Sequence, residues 1–210
     1  MEKSYQNLGY VLLLLIPLTF LAFFKSYFGQ FPNFTDNITP YIHLHAFIAS
    51  VWILMLIIQP ILILKKKNAL HRQIGKASYA VFPLLILSFV PQILRILASD
   101  YSKFVFFPLS DSIALLLFYV LAIKHRRQMA KHMRYMIGTA IVFLGPTIGR
   151  IGPTFLGLSE KLTQNIQYSI IYLLLALLIF RDRRNNKNFR PYINILGVWI
   201  LHMLIFNFLF

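Results

Sequence analysis

Six side chains that ionise or hydrogen-bond strongly lie inside or beside long apolar runs: His45, Gln92, Arg95, Asp111, Arg150 and His202. Such groups are costly in hydrocarbon and are expected to face one another rather than lipid. Two kinds of chemistry fit them. The first is ligation. A b-type haem needs two neutral imidazoles and no cysteine, and the chain has no cysteine. His45 and His202 are the candidate axial pair, with Arg95 and Arg150 to hold the propionates and Trp52 to line the ring. A copper or zinc ion would draw on His43, His45 and His202 with Asp111. The second is charge or solute movement, in which Asp111 works with Arg95, Arg150 and His202 as a gated charge pair or proton relay. The absence of cysteine also excludes disulfides, thiol catalysis, iron–sulfur clusters and CxxCH haem attachment.

These residues must be positioned by membrane helices. The chain is 58% hydrophobic and 13% charged. Its apolar runs reach about 20 residues, the length that crosses a hydrocarbon core of about 30 Å. Seven spans are expected: Leu8 to Phe24, Pro40 to Leu64, Ile74 to Ala98, Phe104 to Ile123, His132 to Ile151, Ile166 to Phe180 and Pro191 to Phe210. Thr39 and Pro40 suit an N-cap followed by the first helical position. The loops between spans are too short for a soluble domain, so residues 1–210 read as one all-α transmembrane domain. The first span lacks a small-residue cleavage motif after it and reads as retained.

Charge sets the expected orientation. Sixteen of the 21 Lys and Arg fall on one side: Lys3, and five in or just beyond each of the loops that join spans two to three, four to five and six to seven. The positive-inside rule places that side in the cytoplasm, with the C-terminus outside. A net charge of +15 concentrated in these loops points to anionic lipid headgroups as partners rather than nucleic acid. The localisation expected is the cytoplasmic (inner) cell membrane.

With a rise of about 1.5 Å per residue, the six polar groups share one layer toward the outer face, His45 about 8 Å deep and Asp111 about 10 Å. On the second helix His45, Trp52 and Gln59 recur every seven residues and form one stripe. His43 and His45 are about 200° apart around the helix, so His45 is expected inside and His43 at the interface. Gln59 and Gln92 complete the expected pocket. His71 and His132 open the third and fifth helices at equivalent positions and form a candidate second site on the cytoplasmic side. A weak internal repeat goes with them, since Pro83 and Pro146 follow twelve and fourteen residues on. Gly145 and Gly149 on the fifth helix, and Ala46 and Ser50 on the second, suit close helix packing. Asn33-Phe34-Thr35 and Asn37-Ile38-Thr39 fit the glycosylation sequon. The Lys, Asn, Ile and Phe bias suggests a bacterial source, so no function is ascribed to them.

Three sets of residues resemble a group of uncharacterised bacterial multi-pass membrane proteins. They are His43-Leu44-His45 with Trp52 and Gln59, then Leu70-His71-Arg72-Gln73-Ile74-Gly75, then Lys131-His132-Met133-Arg134 leading to Leu144-Gly145-Pro146-Thr147-Ile148-Gly149-Arg150. The resemblance spans Tyr41 to Arg150 and implies a membrane fold without an assigned activity. The chain is more distantly similar to the b561-type di-haem cytochromes, in which histidines near both faces ligate two haems. It departs from them in carrying Asp111 and no histidine on the fourth helix, and in having no span with two histidines fourteen apart.

The reading favoured by the residues is haem b or metal binding, for electron transfer with a membrane redox partner or for assembly of a respiratory enzyme. The alternatives are an ion or small-solute transporter built on Asp111, arginine and His202, and a non-catalytic scaffold. No nucleophile with an adjacent base points to a hydrolase. The seventh span has no lysine for a retinal Schiff base.

Overall fold

A computed structural model describes residues 2–34 and 38–210. Both sequons reach residues outside the described ones, at Thr35 and Asn37. The described residues are helical, without strands. Seven helices are long and apolar enough to cross a membrane: α1 (Lys3–Ala22), α2 (Pro40–Leu64), α3 (Asn68–Leu97), α4 (Ser102–Lys124), α5 (Met129–Leu156), α6 (Glu160–Arg184) and α7 (Arg190–Leu209). The contacts divide the chain into two compact units, Met1–Leu109 and Ser110–Phe210.

Prolines break three of the helices. α1 is interrupted between Leu12 and Leu15, α3 between Leu87 and Val90, and α5 between Val142 and Leu144. Each gap falls just before a proline (Pro17, Pro91, Pro146), where the ring displaces the carbonyl four residues back and no N–H replaces its bond. Hydroxyls take up carbonyls near two of the gaps. Ser88 Oγ donates to Leu85 O at 2.6 Å, and Thr147 Oγ1 to Phe143 O at 2.8 Å. Pro60 sits inside the uninterrupted α2, and Pro83 inside the continuous first stretch of α3, Asn68–Leu87.

In the first unit α2 and α3 form an antiparallel hairpin turned at Lys65–Lys67, with Lys66 at φ 58°. Trp52, Ile53, Leu56, Ile57, Phe82 and Leu85 are buried. Gly9 of α1 lies so close to α2 that a Cβ there would be 3.0 Å from Ile57 O. In the second unit α5 ends at Gly157, whose φ of 63° suits glycine. Ser159 then caps α6 by accepting from Leu162 N at 3.3 Å. α6 carries Glu160 in its first turn and Arg181, Arg183 and Arg184 in its last, each matching the dipole at its end. Phe118, Ile171, Leu175 and Ile195 form a fully buried apolar layer of this unit.

Candidate functional site

The six residues expected around one pocket divide between the units. His45, Gln92 and Arg95 belong to the first; Asp111, Arg150 and His202 belong to the second.

In the first unit the His45–Trp52–Gln59 stripe of α2 meets α3 at three heights. His45 Nδ1 lies 2.8 Å from Ser88 Oγ and its ring packs edge-on to Phe89. Trp52, 1% exposed, packs on Phe82 at 5.0 Å between centroids. Gln59 Nε2 donates to the His71 carbonyl at 3.2 Å. The tautomer of His45 follows from counting protons. Ser88 has one hydroxyl hydrogen and donates it to Leu85 O, so His45 must donate from Nδ1. The lone pair of the neutral ring is then on Nε2. His43 turns elsewhere: its Nδ1 is 2.8 Å from Tyr27 OH, and its ring stands edge-on to Phe34 at 4.6 Å. Arg95 is exposed and donates to Tyr41 OH at 3.4 Å, while Gln92 is half-buried.

In the second unit the polar groups cluster. His202, 6% exposed, is held at both ring nitrogens: Nε2 lies 2.8 Å from Ser110 Oγ of α4, and Nδ1 lies 2.7 Å from Tyr168 OH of α6. Beside Ser110, the Asp111 carboxylate is within electrostatic reach of Arg150 and of Tyr168. Arg150 also donates from Nη1 to Pro146 O at 2.9 Å, one turn back on its own helix. Gln164 adjoins the Tyr168 hydroxyl.

The glycine face of α5 makes room for this cluster. A Cβ on Gly145 would stand 3.3 Å from Asp111 Oδ2 and 3.6 Å from Gln167 Nε2, and one on Gly149 would stand 3.7 Å from Gln167 Oε1. On Gly152 it would overlap the Thr163 side chain. The space that the glycines leave is therefore filled by polar side chains of α4 and α6. Among the described residues, the buried atoms Thr163 Oγ1, Gln164 Nε2 and Gln167 Oε1 have no hydrogen-bond partner.

Ligation is tested by the donors. Within either unit, no group of three or more His, Asp or Glu among the described residues could hold a metal ion. Ligation through His202 would first have to break one of its two hydrogen bonds. His45, with its proton fixed on Nδ1, has the arrangement that ligating histidines adopt. The candidate second pair also divides: His71 is in the first unit and His132 in the second, where His132 Nδ1 donates to Ala122 O at 2.9 Å.

No protein-family model, curated protein or solved structure matches this chain. The functional reading therefore rests on the residues themselves.

Sequence reasoning missed the most enclosed charges. Arg134 Nε donates to Asp182 Oδ2 at 2.6 Å, and the two side chains are 0% and 1% exposed. Arg134 also donates to Ala130 O at 2.9 Å and lies over the Tyr192 ring. The expected spans put Arg134 at the cytoplasmic start of the fifth helix and Asp182 in the basic loop before the seventh. The available signal was a lone aspartate within Arg181-Asp182-Arg183-Arg184, a site with no obvious use for a carboxylate on the surface. Gln167 and Tyr168 lie within the expected span Ile166 to Phe180 and Gln164 just before it, yet none was singled out, because an uncharged polar side chain near a span's end gives little signal of burial.

Proposed function

We propose that this chain is a multi-pass protein of a bacterial cytoplasmic membrane that moves protons or small ions, with its working site in the second unit. The N-terminus is cytoplasmic and the C-terminus outside, since sixteen basic residues against five favour that orientation. The basic loops then lie against anionic lipid headgroups. A reporter enzyme fused after Phe210 is active outside the cell only, and cytoplasmic activity refutes the orientation.

One observation carries the transport reading. A buried histidine bridges hydroxyls on two other helices, at 2.7 and 2.8 Å, and the Asp111 carboxylate, next in the chain to Ser110, is within electrostatic reach of Tyr168 and of the Arg150 guanidinium. A neutral imidazole between two hydroxyls can accept a proton at one nitrogen and release one at the other, changing tautomer without keeping the charge. Ionisable groups kept within membrane helices are functional by default. The unpartnered atoms of Thr163, Gln164 and Gln167 add polar contacts for an ion. Purified protein in liposomes, with a pH-sensitive dye inside and an imposed potential, should conduct protons above protein-free vesicles. His202→Ala and Asp111→Asn should each abolish that flux. Flux equal to empty vesicles, or unchanged in both variants, refutes the reading.

The geometry of His45 supports a second reading, haem b or a copper or zinc ion bound in the first unit and serving a membrane redox partner. The supporting observation is the Nδ1 donation to Ser88, which directs the lone pair to Nε2. Protein purified without chelators should then absorb between about 400 and 600 nm if it holds haem, or carry metal by elemental assay, and His45→Ala should remove either. A colourless, metal-free preparation refutes it.

A further inference from the structure

We propose that the first unit carries a binding site for one anionic phospholipid, independent of the transport reading. A groove of about 160 Å³ runs between α2 and α3, lined by Tyr41, Leu44 and Ile48 on one side and Leu84, Leu87 and Pro91 on the other. Its origin is the α3 break: Pro91 interrupts the helix between Leu87 and Val90. The Ser88 hydroxyl is occupied by Leu85 O and His45 and the Tyr41 hydroxyl meets Arg95 at one end, so the floor between them presents hydrocarbon. The volume takes up about one benzene-sized apolar group. It suits a stretch of acyl chain and is too small for a macrocycle. Leu44, Leu84 and Leu87 on the rim are 56%, 52% and 62% exposed, as side chains that meet lipid tails would be. From Tyr41 to Ile48 the groove follows α2 for about 10 Å.

The charge at one end identifies the occupant. Arg95 stands one turn beyond Pro91 on α3, and its guanidinium meets the hydroxyl of Tyr41, which is itself a wall of the groove. A guanidinium and a phenol at the end of an apolar channel, near the end of a membrane helix, match a phosphate with its acyl chain extending into the bilayer. The phosphate accepts from Arg95 and Tyr41, and one tail lies along Pro91, Leu87 and Leu84.

The test is native mass spectrometry of the full chain in detergent, with phosphatidylglycerol or phosphatidylcholine of identical tails. Wild type should retain one phosphatidylglycerol, favoured about fivefold over phosphatidylcholine, the ratio that about 1 kcal/mol for one basic residue implies. Arg95→Gln should remove the preference, and Leu84→Trp, a substitution on the exposed rim, should reduce retention of both lipids. Arg72→Gln, in the second turn of α3 at its other end, should change neither. Equal retention of the two lipids by wild type, an unchanged Arg95→Gln, or an equal loss in Arg72→Gln overturns the site. A second copy of the chain bound in place of lipid overturns it as well.

Discussion

Replacing Asp182 should destabilise the protein more than replacing its partner Arg134. The pair is enclosed, at 1% and 0% exposure with a 2.6 Å contact, so neither charge can turn to water once the other is gone. Removing one member of a buried pair costs about 3–5 kcal/mol. The two halves are unequal, because a lone carboxyl can take up a proton and become neutral, whereas a guanidinium stays charged. Asp182→Asn leaves the guanidinium over Tyr192 with the Ala130 carbonyl as a remaining acceptor, and should reach the upper end of that range. Arg134→Met leaves the carboxyl and should fall at the lower end. For a chain of this length about 3–5 kcal/mol corresponds to a drop in Tm of about 6–20 °C. The double variant Arg134→Met/Asp182→Leu removes both desolvated charges and should recover most of the loss, since apolar replacement of a whole buried pair is often neutral. The assay is thermal unfolding of the four proteins in one detergent at fixed salt. Single variants within about 1 kcal/mol of wild type, or a double variant no better than Asp182→Asn, would refute the reasoning.

Two further outcomes follow from the geometry. Gly152→Ala should destabilise by about 1–3 kcal/mol through overpacking against Thr163. Gly197→Ala, with nothing within 4 Å of the added Cβ, should be neutral or stabilising by about 0.5–1 kcal/mol in the helix interior, and the same unfolding assay compares them. Burial of the ring, and then the nearby Lys131 and Lys124, hold the His125 pKa below the ordinary value of 6.5. Its folded form therefore binds protons less readily than the unfolded chain. That part of the stability is present above about pH 6.5 and is lost as pH falls through the lowered value. An NMR titration should place the His125 midpoint below 6.5 and show it rising in Lys131→Gln; a midpoint at or above that value, unmoved by the variant, counts against this.

The sequence by itself determined that the chain is a set of apolar helices and where most of them run. The α2 span, Pro40 to Leu64, is legible at both ends, because a first-turn proline opens it and a basic stop closes it, each a local signal; Thr39 holds the N-cap position but its side chain makes no capping hydrogen bond. The His45–Trp52–Gln59 stripe is legible for the same reason: rotational phase is a local property of a helix. The ends of α5 and α6 were read too short. Hydrogen bonding carries a helix past the point where its side chains become polar, so Gln164 and Arg181 to Arg184 are helical although they are not apolar. The same composition also cannot say which proline breaks a helix. Pro60 and Pro83 sit in continuous helical stretches, while Pro17, Pro91 and Pro146 follow breaks. Tertiary structure alone gave His202 its two hydroxyls, turned the glycine face of α5 toward Asp111 and the glutamines, and joined Arg134 to Asp182 across 48 residues of chain. Transfer into hydrocarbon is a near-additive sum over neighbouring residues, so spans can be read in order along the chain. Which buried polar groups meet depends on the rotation and spacing of helices far apart in sequence, and no local sum contains that information.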